Sequence, residues 1–131
     1  MHQNKIFLHV NKIILFLIIT ISSSMVFAET QTTVHVVNNL TRVGIFVTIP
    51  TKGVYPSVGP VAAHAQSSFG PYFLSKTQPF TVFDTREIYT GFGKCTYQDK
   101  FVGSDVTVII DQEQRVDKNF EIICSVKSGL P

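Results

Sequence analysis

The sequence has 131 residues with 11 basic and 9 acidic side chains, a length that suits one small domain. Two of the basic residues, Lys5 and Lys12, belong to an apolar N-terminal segment, so without that segment 9 basic side chains balance 9 acidic ones. A neutral domain without a basic run gives no support for nucleic acid as a partner or for attraction to anionic lipid.

The first 28 residues have the pattern of a secretory signal peptide. The apolar run Ile13–Ile21 follows Lys12, and the segment ends at Ala28 with small residues at the positions that signal peptidase reads. Because the run is too short to span about 30 Å of hydrocarbon, we expect cleavage and no stable membrane anchor. Residues 29–131 are then the mature domain, exported to the periplasm or outside the cell.

The first half of the mature chain contains two predicted strands, Thr33–Val37 and Val43–Ile49, which are rich in β-branched residues. The turn-forming segment Asn38–Thr41 separates them, so the sequence predicts a hairpin. Several glycines and prolines make residues 51–60 a predicted loop or an irregular crossing at the edge of a sheet. Further strands are predicted at 61–69, which Gly70 and Pro71 follow, and at 79–83.

The second half contains three predicted strands, at residues 88–98, 106–110 and 120–126, with a polar connector at 111–118. Period-2 alternation places Cys124 on the inward face of the last strand. Cys95 shares its face with Gly91, Gly93 and Tyr97, a pattern that favours close backbone approach or a bulge.

Both cysteines are therefore predicted to face inward, and the signal peptide indicates an oxidising compartment. We predict a disulfide between Cys95 and Cys124, either between adjacent strands or across two layers. A Cys-x-x-Cys motif is absent from the sequence, which disfavours a redox enzyme.

About seven short strands and no convincing helix predict an all-β fold. The expected architecture is a single small antiparallel β-sandwich with an immunoglobulin-like layout, and a small β-barrel is the alternative. The Cys, Trp, Cys spacing of true immunoglobulin domains is missing, since the chain has no tryptophan.

Catalytic and metal-binding signals are weak. The mature chain has two histidines, His35 and His64, and the ingredients of a Ser-His-Asp site near His64 (Ser67, Ser68 and Asp84) lack a Gly-x-Ser-x-Gly spacing. Since both cysteines are expected to be oxidised and the mature part has no methionine, we expect no metal, no cofactor and no enzymatic activity.

The sharpest binding hypothesis rests on four aromatic residues, Tyr55, Phe69, Tyr72 and Phe73. Together they could form a platform for an unknown protein or glycan, or they could plug the open end of the core. The leading prediction is a non-enzymatic exported binding domain. The alternatives are a small secreted hydrolase, a surface-fibre subunit and a membrane-active protein.

Overall fold

The structure is a computed structural model that describes residues 30–86, 92–98, 103–116 and 119–131. These residues form strands and connecting turns without a helix. The strands are β1 (Thr32–Asn38), β2 (Ile45–Thr48), β3 (Ser57–Val61), β4 (Gln66–Tyr72), β5 (Thr81–Asp84), β6 (Phe92–Lys94), β7 (Thr96–Tyr97), β8 (Asp105–Val116) and β9 (Asn119–Ser128).

The described strands form a single sheet that is nearly closed into a barrel. Its order is β3, β2, β5, β6, β9, β8, β1, β4, and β7 also pairs with β9. The two edge strands, β3 and β4, follow each other in the chain, so the short turn at residues 62–65 brings the two edges of the sheet together. The all-β prediction and its barrel alternative are confirmed.

Three details of the predicted layout differ from the structure. The described sheet has nine strands rather than about seven, and it is mixed, because β1 runs parallel to β8 while β6 and β7 run parallel to β9. The predicted hairpin of β1 and β2 is wrong, since β1 pairs with β4 and β8.

Asn38 supplies a physical reason for the missing hairpin. Its side chain is fully buried at the end of β1, and its amide nitrogen donates to the carbonyl oxygens of Val43, Val61 and Ala62 at 2.9, 3.0 and 3.2 Å. A buried amide that makes three such bonds ties the segment after β1 to the end of β3. The chain therefore crosses to another part of the sheet instead of folding back on β1.

The core follows the predicted alternation of inward and outward residues. On β9, Ile122, Cys124 and Val126 are buried, as expected from their period of two. Strands β1, β2, β5 and β8 contribute buried valines and isoleucines at alternate positions in the same way. The core residues with no exposed surface include Val34, Val36, Ile45, Val47, Ile49, Phe80, Val82, Val106, Val108 and Ile110.

A disulfide between Cys95 and Cys124 fastens the middle of the sheet. Cys95 lies between β6 and β7, which both run parallel to β9 with the same offset, so the two cysteines face each other with their Cα atoms 4.6 Å apart. The bond therefore joins neighbouring strands rather than two separate layers.

The backbones of β6 and β9 approach closely beside this disulfide. A Cβ atom on Gly93 would lie 2.2 Å from the carbonyl oxygen of Ile122, far closer than two such atoms can approach. Close approach was predicted for this face, and it is confirmed at Gly93. Gly91 lies outside the described residues.

Two predicted connections contain strand. Residues 51–60 include the start of β3, and β8 continues through the predicted polar connector to Val116 after a register shift between Ile110 and Gln112. Each edge strand includes a Gly-Pro pair, at 59–60 in β3 and at 70–71 in β4. Since proline lacks an N–H group, these pairs limit the pairing of another strand at either edge.

Candidate functional site

An exposed apolar surface lies at the end of the barrel where β2 and β4 stop. Its most exposed members are Val54, Tyr55 and Phe73, which keep 75%, 55% and 43% of their side chains accessible. Tyr72 and Phe73 also line a shallow groove of about 270 Å³ together with Val54, Pro56 and Pro71. We call Val54, Tyr55, Tyr72 and Phe73 the loop patch.

Backbone hydrogen bonds hold the two loops of this surface together. The N–H of Lys52 donates to the carbonyl of Phe73 at 3.0 Å, and the N–H of Ser75 donates to that of Pro50 at 2.7 Å. Within the first loop, the N–H of Ile49 donates to the carbonyl of Pro56 at 2.9 Å. The loop patch is therefore presented on a backbone that is ordered before any partner arrives.

The structure separates the four aromatic residues of the predicted platform. Tyr55 and Phe73 are exposed, whereas Phe69 and Tyr72 are half-buried and pack against the core. Tyr72 belongs to both the core and the surface, since it packs against the core and also lines the groove with Phe73. Sequence reasoning missed Val54, the most exposed large apolar residue described, because a lone valine in a loop with glycine and proline carries no distinctive signal.

A second apolar feature crosses the outer face of the sheet. Phe46 on β2, Phe83 on β5 and Phe92 on β6 are directly opposite one another in register. Their neighbours in sequence, Ile45 and Val82 among them, point into the core, so the three phenylalanines point outward. We call Phe46, Phe83 and Phe92 the aromatic row.

Two members of the aromatic row stack on each other, and the third is exposed. The rings of Phe46 and Phe83 are stacked with centroids 5.5 Å apart, and Phe92 keeps 48% of its side chain accessible. Period-2 alternation could have identified Phe46 and Phe83 as outward aromatics, because each follows a residue of the inward set. That signal was present in the sequence but was not used.

The structure contains a hydrogen-bonded Ser-His-Asp chain of side chains. Its histidine is His35, not His64, which the sequence had suggested. His35 on β1 lies 2.7 Å from Ser68 Oγ through Nδ1 and 2.7 Å from Asp105 Oδ1 through Nε2. An ionised carboxylate can only accept, so Nε2 carries the proton and Nδ1 accepts from the Ser68 hydroxyl. The three side chains tie β1, β4 and β8 together on the outer face.

The other residues considered for that site are placed elsewhere. His64 is exposed in the turn between β3 and β4 with a φ of 58°. Asp84 is buried and accepts hydrogen bonds from Arg86, with Nε at 2.7 Å. The structure therefore does not bring His64 and Asp84 into one arrangement.

Arg86 lines a cleft of about 500 Å³. Its guanidinium pairs with Asp84, lies 2.8 Å from Glu113 Oε1, and stacks over the ring of Phe120 at 4.1 Å. Burial acts to lower the pKa of Arg86, but the hydrogen bonds and negative charges of the two carboxylates outweigh it and raise that pKa above its ordinary value. Since Arg86 already contacts Asp84, Glu113 and Phe120, we interpret these residues as a structural ion-pair network.

The described residues contain no group of three or more His, Cys, Asp or Glu side chains close enough to hold a metal ion. In the same part of the chain, no helix is long and apolar enough to cross a membrane.

Comparison with known proteins finds similarity in structure but not in sequence. No protein-family model matches the sequence, and no curated protein sequence matches it. A protein from Eubacterium rectale, solved by NMR, is similar in structure with a TM-score of 0.43 and 19% sequence identity, over 72% of this chain and 87% of that chain. A similarity at this level carries no information about function.

Proposed function

We propose that this chain is an exported, non-enzymatic binding domain that captures a protein partner through the loop patch. The observation that carries the proposal is the exposure of Val54, Tyr55 and Phe73 on loops that are fixed by backbone hydrogen bonds. Exposing three large apolar side chains at one place costs solubility unless a partner covers them.

The chemistry of the loop patch favours a protein over a glycan. Its most exposed member is aliphatic, and its groove is lined by Val54, Pro56 and Pro71 beside the two aromatic rings. Such a surface fits an apolar side chain of a polypeptide, and aromatic residues are enriched in the buried centres of protein interfaces. Gln31, Thr51 and Lys52 also line the groove and carry groups that can hydrogen-bond a sugar, so the preference for a protein rests on the exposed Val54, which offers a sugar neither a ring face nor a hydrogen bond.

The proposal is tested by panning a library of random peptides against the purified exported protein, with an array of oligosaccharides screened in parallel. We expect peptides with an apolar anchor that bind the parent protein and bind Phe73→Ser at least about tenfold more weakly. Phe92→Ser is the matched control, because it removes an equally exposed phenylalanine from the other face. Peptides that bind Phe73→Ser as well as the parent would overturn the proposal, and a glycan lost with Phe73→Ser would replace the protein partner by a glycan.

Export is part of the same proposal. The disulfide is compatible with an oxidising compartment, since both cysteines are almost fully buried and joined in the sheet. Expression of the full chain followed by mass spectrometry of the mature protein tests this. We expect an N-terminus at Glu29 and an intact Cys95–Cys124 bond, and retention of residues 1–28 would contradict export by a cleaved signal.

The Ser-His-Asp chain supports a second candidate, a small secreted hydrolase. In ester hydrolysis Ser68 Oγ would attack the carbonyl carbon and pass its proton to His35 Nδ1, which would give that proton to the leaving alcohol. Water, deprotonated by His35, would then hydrolyse the acyl-serine and restore Ser68. Turnover of p-nitrophenyl acetate by the parent and by Ser68→Ala distinguishes the candidates, with Ser67→Ala as control. A rate that is lost in Ser68→Ala alone supports the hydrolase, and equal rates in all three proteins eliminate it.

A further inference from the structure

The aromatic row lies on a different face from the loop patch, and we propose that it is the contact between two copies of this chain, which associate as a two-fold symmetric dimer. Phe46, Phe83 and Phe92 occupy adjacent strands in one register. This inference is independent of the proposed function, because it uses none of the residues of the loop patch.

The orientation of the rings suits packing against a second row. With ring centroids 5.5 Å apart and an interplanar angle of 21°, the rings of Phe46 and Phe83 form an offset stack across the two strands. Each ring therefore covers part of one face of the other, and both residues are half-buried, whereas Phe92 at the end of the row is exposed. A second copy can pack its own row against this exposed end, whereas a sugar ring needs an uncovered aromatic face.

The surface beside Phe92 carries one positive and one negative side chain, so it is electrostatically complementary to the same surface of a second copy. Lys94 lies two residues further along β6, and Glu121 lies opposite Phe92 on β9. Both side chains are exposed, and neither has an ion-pair partner among the described residues. In a two-fold dimer, residue i of one copy meets residue j of the other and j meets i. Each Lys94 can therefore face the Glu121 of the second copy, which makes two equivalent ion pairs.

Two further observations favour a second copy at this face. The mature chain has 9 basic and 9 acidic side chains, so two copies do not repel each other by net charge. Pro60 and Pro71 remove N–H groups from the edge strands, which disfavours association by strand pairing at either edge. Association through the outer face, where Phe92 is exposed, needs neither edge.

Sedimentation velocity of the purified exported protein, from about 5 µM to about 1 mM, tests the dimer. We expect a concentration-dependent monomer to dimer transition in the parent and at least about tenfold weaker association in Phe92→Ser. Phe73→Ser is the matched control and should dimerise like the parent, because the loop patch lies outside the contact. A parent that stays monomeric up to about 1 mM would overturn the proposal.

Charge reversal provides a test that does not depend on the aromatic residues. Lys94→Glu and Glu121→Lys should each weaken the dimer by about three- to tenfold, since both symmetric contacts change together. The double variant exchanges the two charges and should restore the association to that of the parent, whereas Lys76→Glu should leave it unchanged. Failure of the double variant to recover would overturn the proposed pairing. A monomeric parent that binds peptides lost with Phe92→Ser would assign the row to a different protein.

Discussion

The disulfide region and the loop patch use apolar and small residues in opposite ways. Around Cys95 and Cys124, backbones approach so closely that Gly93 has no room for a side chain. In the loop patch, Val54 and Phe73 project into solvent from loops whose backbones are held by hydrogen bonds. The conformation of the disulfide region is therefore fixed by side-chain and backbone packing. The conformation of the loop patch is fixed by backbone hydrogen bonds. Substitutions should therefore be costly in the first region and tolerated in the second.

The largest expected effect is the loss of the disulfide. Closing a loop with a sequence separation of 29 residues stabilises a chain by roughly 3 to 4 kcal/mol in the chain-entropy model. The double variant Cys95→Ser, Cys124→Ser should lose about that much free energy of unfolding, measured by urea denaturation. A loss below about 1 kcal/mol would show that the packing of β6 and β9 holds without the bond.

The next effect tests the close approach at Gly93. Gly93→Ala places a Cβ atom 2.2 Å from the carbonyl oxygen of Ile122, so the backbones of β6 and β9 must separate. We expect a loss of roughly 1 to 3 kcal/mol, the usual range for overpacking. Gly44→Ala is the control, because the atoms nearest to its Cβ position lie 3.4 Å away, an ordinary van der Waals distance. An equal loss in the two variants would remove the special role of the Gly93 contact.

These two regions also differ in how well the sequence predicts them. The alternation on β9 placed Cys124 inward, and the glycines beside Cys95 indicated close approach, because periodicity and residue size are local properties. The pairing of β1 could not be obtained in this way. It depends on the contact of Asn38 with carbonyls 5, 23 and 24 residues away, and the sequence alone does not reveal such distances.

The candidate surfaces were predictable only in part. Phe73 and Tyr55 were identified as aromatics near turns, but their exposure depends on how two distant loops meet. Phe46 and Phe83 could be assigned outward by alternation, yet their alignment in one row depends on the register between β2 and β5. The hydrogen bond of His35 with Asp105 likewise spans 70 residues and depends on a parallel pairing that no local pattern indicates.

Tyr97, beside the disulfide, should make a smaller contribution to stability that changes at alkaline pH. Tyr97 follows Cys95 by two residues, and its hydroxyl donates to the carbonyl of Gln78 while burial raises its pKa above the ordinary value near 10. A raised pKa in the folded state means that stability is full below about pH 10 and falls as pH rises toward the folded pKa. Tyr97→Phe should lose less stability than the parent between about pH 9 and pH 11. Equal slopes for Tyr97→Phe and the parent would contradict the assignment.

The smallest expected effect on stability lies in the loop patch. Val54→Ser should change the free energy of unfolding by less than about 0.5 kcal/mol, because three quarters of this side chain is already in water. Val47→Ser is the matched control, since the same change at a fully buried valine seven residues earlier should cost about 2 kcal/mol or more. The same Val54→Ser protein should bind the selected peptides more weakly than the parent, which separates recognition from folding at one residue. If Val54→Ser instead loses as much stability as Val47→Ser, the loop patch belongs to the core and the proposed binding surface fails.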